Sequence, residues 1–143
     1  MYITGVGQLI RQLQYLQTAA APEAAAAAVE SGLRELQAGM EQAAPAGRTG
    51  NTGRSVGHRF EHSRRGTIAG KAGIGVGRSA RRAPHAHLTV LGTTERFNRR
   101  GQSRGRMPQN DWIYRGSEKR KAAAATAAVS AAAATFSRLN TEN

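Results

Sequence analysis

Leu, Ile, Val and Phe together supply only 22 of the 143 residues, below the roughly 20% under which a highly charged chain struggles to build an ordinary core. Ala contributes 27 more. Alanine makes good helices but buries little area per side chain. A chain of this length is one domain with a thin interior, a poor fit to a large solitary enzyme and a better fit to a subunit whose order is completed by partners.

Charge points the same way. The chain carries a formal charge of +12, and 18 of its 21 basic residues are Arg. Arg keeps its charge and presents a planar fork of donors, so the bias favours contacts with phosphate or carboxylate. The charge is uneven: residues 1–47 carry −2, residues 48–120 carry +13 and residues 121–143 carry +1. Acidic partners, either nucleic acid or another protein's acidic face, are implied. The chain has no Cys, which excludes disulfides, thiolate metal sites and thiol nucleophiles and fits assembly in a reducing cytosol. The Met1–Leu16 segment lacks the pattern of a secretory signal. The Ala122–Ala134 run, at 13 residues and interrupted by Thr126 and Ser130, falls short of the ~20 needed to span a bilayer.

Periodicity gives the order of elements. Val6, Leu9, Ile10, Leu13 and Leu16 mark a short amphipathic helix over about Gly7 to Gln17. Pro22 and Glu23 open a second helix, and Val29, Leu33, Leu36 and Met40 form its apolar stripe before Pro45 stops it. From Arg48 onward Gly, Thr, Ser and Arg alternate with short β-branched or aromatic runs, which predicts strands near Arg54–His62, Thr67–Val76 and His85–Leu91. Arg64-Arg65-Gly66 is the first turn and Gly77–Pro84 the second. Glycines 70, 73, 75 and 77 mark bulges or close backbone approach. Arg96–Arg106 reads as a mobile loop. Asp111 or Ser117 caps a last helix through about Arg138, with Ala125, Val129, Ala132, Phe136 and Leu139 at helical spacing. The expected class is α+β: a small antiparallel β-sheet packed by a long N-terminal helix and an Ala-rich C-terminal helix, with a basic Arg-rich loop. Within a single domain over 1–143, the parts are a helical 1–45, a β-sheet 48–95, a basic mobile loop 96–110 and a C-terminal helix 111–139.

Chemistry-bearing residues are sparse. His85 and His87 share one face of a predicted strand and His58 and His62 lie four apart, but no nearby carboxylate completes a metal set. The Gly-x-Gly groups at 5–7, 73–75 and 75–77 lack both the dinucleotide fingerprint and the Walker Lys-Ser pair. The 9 carboxylates are scattered, so no acid-base pair, cofactor or catalytic residue is expected. Two features remain. Arg96, Arg99, Arg100, Arg104 and Arg106, with Phe97 as a possible stacking side chain, suit contact with nucleic-acid backbone or with an acidic neighbouring subunit. Trp112 and Tyr114 are aromatic anchors, either fixing the last helix on the sheet or plugging into another subunit.

Three stretches, in order, resemble the small tail-component family of long-tailed bacteriophages, whose members are called neck, tail-completion or minor tail proteins. Ala44-Pro45-Ala46-Gly47-Arg48-Thr49-Gly50, followed by Arg54-Ser55, is similar to the family's Ala-Pro-x-x-Thr-Gly segment leading into a strand. Pro84-His85-Ala86-His87-Leu88-Thr89-Val90-Leu91-Gly92-Thr93 resembles its Pro-Tyr-Ala-His-x-x-Glu-x-Gly-Thr block. Met107-Pro108-Gln109-Asn110-Asp111-Trp112 resembles the family's loop and Pro-Phe lead into the last helix. Val90 stands where the family has Glu, His85 where it has an aromatic, and Asp111-Trp112 where it has Pro-Phe. The resemblance implies a structural virion protein at the neck or tail, made in the host cytoplasm. It would assemble as a ring, a hexamer or other high-order homo-oligomer, between connector or head-closure proteins and tail-tube or tail-terminator proteins, with packaged DNA as a possible contact and no membrane partner. The alternative from the residues themselves is a free basic nucleic-acid-binding protein.

Overall fold

The computed structural model describes residues 21–47, 49–62, 68–77 and 83–141. The predicted helix over Gly7–Gln17, the Arg64-Arg65-Gly66 turn and most of the Gly77–Pro84 turn lie outside the described residues. The elements are α1 (Ala21–Ala43), α2 (Asn51–Arg54), β1 (Val56–His62), β2 (Ile68–Ile74), α3 (Ala86–Leu91) and α4 (Trp112–Thr141). The class is α+β, with two long helices and a two-stranded antiparallel sheet.

Helix α1 starts with Pro22 in its first turn, where no amide donor is needed, and Glu23 at the positive end of its dipole. It ends at Ala43, ahead of Pro45. Of its predicted stripe, Leu33 and Met40 are buried and Val29 and Leu36 half-buried. Helix α4 runs antiparallel to α1: Glu23 pairs with Arg138, Glu35 with Arg120 at 3.3 Å, and Gly39 lies against Gly116. On its other side α1 supports the sheet, whose register runs from Val56↔Ile74 to His62↔Ile68. An isolated pair of strands is marginal in water. Here Gly70 of β2 sits so close to Leu33 and Val29 that a Cβ would strike both, and His58 Nδ1 lies in hydrogen-bond contact with Gln37 Oε1 at 2.5 Å. The core cluster is Met40, Val56 and Trp112, with Leu36, Ala72, Ile74, Val90 and Ile113 packed around it.

Three features differ from the sequence-based expectation. Residues 85–91, predicted as a strand, form helix α3 over Ala86–Leu91. Its inward residues are Ala86, Thr89 and Val90, spaced three and four apart as on one helix face. A strand would have aligned Ala86, Leu88 and Val90, leaving Thr89 on the opposite side. In α4 the predicted apolar stripe holds only in part: Leu139 is buried, but Val129 is 70% exposed and Phe136 39% exposed, and Gly116 and Ala124 are the buried residues earlier in the helix. The approach of α1 selects the small side chains, since Gly32 packs on the backbone of Ala124 and on Ala128. At the start of α4, Asp111 holds the predicted cap position, its carbonyl accepting from Arg115 N at 3.0 Å, but the side-chain acceptor is Asn110 Oδ1, which takes Trp112 N at 3.1 Å; the alternative cap Ser117 lies inside the helix and donates to Tyr114 O.

Candidate interaction surface

Two neighbouring features are built by the segment between α3 and α4. The first is a junction around Trp112. Ser55, fully buried, closes α2 by donating to Thr52 O at 2.6 Å, and delivers Val56 into the core. Trp112, also fully buried, donates from Nε1 to Thr89 Oγ1 at 3.2 Å. That hydroxyl in turn donates to Ala86 O at 2.6 Å, so both its capacities are used. Asn110 N donates to Val90 O at 3.1 Å. Gly92 ends α3 at φ 74°, and a Cβ there would fall 2.8 Å from Met107 O and 2.9 Å from Gln109 N. Only glycine combines that conformation with so close a backbone. An open cleft of about 660 Å³ beside this junction is bordered by Asn51, Thr52, His85, Thr89, Arg96 and Met107.

The second feature is the arginine segment. Arg96–Arg106, expected as an open mobile loop, is drawn into a hairpin. Thr93 N donates to Met107 O at 2.9 Å and ties its base. Arg104 N donates to Arg96 O at 2.6 Å, Arg96 N to Gly105 O at 3.2 Å and Asn98 N to Gln102 O at 2.9 Å, and Phe97 bridges Ser103. Asn98 organises the tip: its Oδ1 accepts from Arg100 N and from Gln102 N, both at 2.9 Å, and its Nδ2 donates to Gln102 Oε1 at 2.8 Å. Directly opposed residues of a ribbon share a face. Arg96, Asn98, Gln102 and Arg104 therefore lie on one face, and Glu95, Phe97 and Ser103 on the other, where Ser103 Oγ donates to Glu95 at 2.7 Å. Arg99 and Arg100 sit at the tip.

The hairpin brings together all five predicted arginines, and all five are exposed. None forms a side-chain hydrogen bond or ion pair with another described residue. Seven other described cations do have carboxylate partners: Arg34 with Glu30, Arg59 and Lys71 with Glu61, Arg115 with Asp111, Arg120 with Glu35, Lys121 with Glu118 and Arg138 with Glu23. The two predicted aromatic anchors separate. Trp112 is interior to the chain and fixes α4, so it is no plug for a second subunit, whereas Tyr114 is 66% exposed. Of the histidines, His85 and His87 fall two apart around the start of a helix and do not share a face. His87 Nδ1 contacts Pro84 O at 3.0 Å. Among the described residues no group of three His, Asp or Glu side chains could hold a metal ion, and no helix is long and apolar enough to cross a membrane.

Glu61, on β1, has a displaced titration. The Arg59 hydrogen bonds hold its pKa below the ordinary Glu range, with the Lys71 charge adding to the effect. Sequence reasoning missed the cross-strand arrangement of Arg96 and Arg104 and the glycine contact between the long helices. The first has a local signal in Asn98 and Gly101, which favour a turn midway between the two arginines; the second has one in the seven-residue spacing of Gly32 and Gly39. The chain matches no protein-family model, no curated protein and no solved structure.

Proposed function

We propose that the chain is a structural subunit of a bacteriophage neck or tail, a tail-completion or head-tail joining protein that assembles as a ring between connector and tail. The observation that carries this reading is the meeting of the three stretches that resemble the tail-component family. They are separate in sequence, yet Ala44 of the first, Val90 of the second and Trp112 of the third meet in one core cluster, with Thr89 bonded to Trp112 and Thr93 to Met107. The departure from the family pattern at Val90 is accommodated there, because that side chain packs on the core. Replacement of the family's Phe by Trp112 is likewise matched by the Thr89 hydroxyl. The thin interior supports a subunit completed by its neighbours: among the described residues the buried core cluster holds only Met40, Val56 and Trp112. Tyr114 remains outside to contact the next copy.

Disrupting the reading frame in the phage that encodes it, and counting particles by electron microscopy, tests this. The expected result is filled heads and separate tails. Normal joined particles lacking the chain overturn the reading.

A further inference from the structure

We infer that the arginine hairpin is a sequence-independent clamp on the phosphate backbone of double-stranded DNA. The inference goes beyond the ring reading and does not depend on it. Its first support is electrostatic. Arg96 and Arg104 oppose each other across the ribbon, joined by the Arg104 N to Arg96 O bond. Like charges directly opposite one another destabilise a strand pair. With Arg99 and Arg100 at the tip and Arg106 just beyond Gly105, five cations crowd one short ribbon, while ion pairs on the helices and sheet occupy six of the carboxylates. An anion with repeated charges, entering from outside, relieves that repulsion.

Shape and chemistry select the anion. A two-stranded ribbon is of a width that the major groove of a DNA duplex admits. The Arg96 and Arg104 face carries Asn98 and Gln102 between its charges and no apolar side chain. Protein interfaces are organised around apolar or aromatic anchors, and the ribbon's aromatic residue, Phe97, belongs to the opposite face with Ser103. The same separation disfavours single strands, whose bases need an aromatic platform beside the cationic track. Asn98 and Gln102, the side chains able to read base edges, are committed to each other and to the amides of the turn. What is left for the ligand is five guanidinium forks, which position a backbone and read no sequence.

The test is fluorescence anisotropy of the full chain with a labelled random-sequence duplex over a range of salt concentrations. Each phosphate contact contributes about −0.9 to the slope of log affinity against log salt. R96S/R99S/R100S/R104S/R106S should therefore flatten the slope by about 4.5, so that between about 50 and about 200 mM salt the wild type loses roughly 500-fold more affinity than the variant. The tip variant R99S/R100S should flatten it by about 2 and keeps the test intact if the quintuple variant fails to fold. R64S/R65S/R78S/R81S/R82S removes the same charge elsewhere and should retain the hairpin's share of the slope. Equal slopes in wild type and both hairpin variants overturn the clamp. So does an equal loss in the control, tighter binding of single-stranded DNA, or displacement of the duplex by polyglutamate at matched charge. Sedimentation of the same samples reports ring assembly separately, so a ring that ignores DNA overturns this inference alone.

Discussion

Trp112 and Thr89, 23 residues apart, are joined by a hydrogen bond of 3.2 Å from the indole Nε1 to the hydroxyl, and through it the last helix is fixed to the short helix α3. Thr89→Val keeps the volume and strands a buried N–H donor, at a cost of about 1–3 kcal/mol. Trp112→Ala empties the fully buried site and costs about 3–5 kcal/mol. In urea denaturation, Thr89→Val should cost far less in a Trp112→Phe background, which has no indole donor. Additive losses would show that the bond contributes nothing.

Gly116 touches α1 at backbone level. A Cβ there would fall 2.5 Å from Gly39 O and 2.7 Å from Met40 Cα, neither of which is a movable side-chain end. Gly116→Ala should therefore force the long helices apart and destabilise the chain by about 1–3 kcal/mol, although alanine is the better helix former. Gly101→Ser, on the exposed hairpin, is the contrasting position: nothing lies within 4 Å of its Cβ site, and only its φ of 74° resists the change. Thermal melting of the two variants checks the contrast.

Glu61 supplies a pH-dependent element. Its folded-state pKa is depressed, mainly by the hydrogen bonds from Arg59. Its contribution to stability is thus fully present above the unfolded-state pKa and is lost as pH falls through the folded-state value. Arg59→Gln should move the Glu61 midpoint upward in a side-chain carboxyl NMR titration. The variant should lose stability near neutral pH, by the small amount expected for exposed ion pairs, and little well below the folded-state pKa, so the acid-induced loss of stability shrinks.

Tyr114 offers a position at which folding and the proposed assembly are tested separately. Two-thirds of its surface is exposed and it lies outside the core cluster, so Tyr114→Ser should alter monomer stability by less than about 0.5 kcal/mol. If it anchors the next copy, the same substitution should raise the dissociation constant of the ring by tenfold or more, as truncating an aromatic interface anchor does. Concentration-dependent light scattering distinguishes the two effects.

The long helix α1 and both strands are legible in the sequence because their signals are local: Pro22 and Glu23 at the start, Leu33 and Met40 at helical spacing, β-branched and aromatic runs between glycines. The fate of 85–91 is not. Six residues of Ala, His, Leu, Thr and Val suit a strand by composition, and only the contacts of Thr89 and Val90 with the Trp112 junction decide for a helix. In α4 the error has a different origin. Hydropathy places Val129 inside, but the packing distance to α1 is set by Gly32, Gly39 and Gly116, and it admits alanine where it excludes larger side chains. The five arginines could be named as a group from sequence; their cross-strand opposition depends on the turn that Asn98 organises.

The mass of the species that the full chain forms, measured by sedimentation velocity across a wide concentration range, bears most directly on the claim that this is a ring-forming subunit. The account predicts a closed oligomer of discrete mass that dissociates on dilution and is weakened by Tyr114→Ser. A single 15.2 kDa species at every concentration would contradict it.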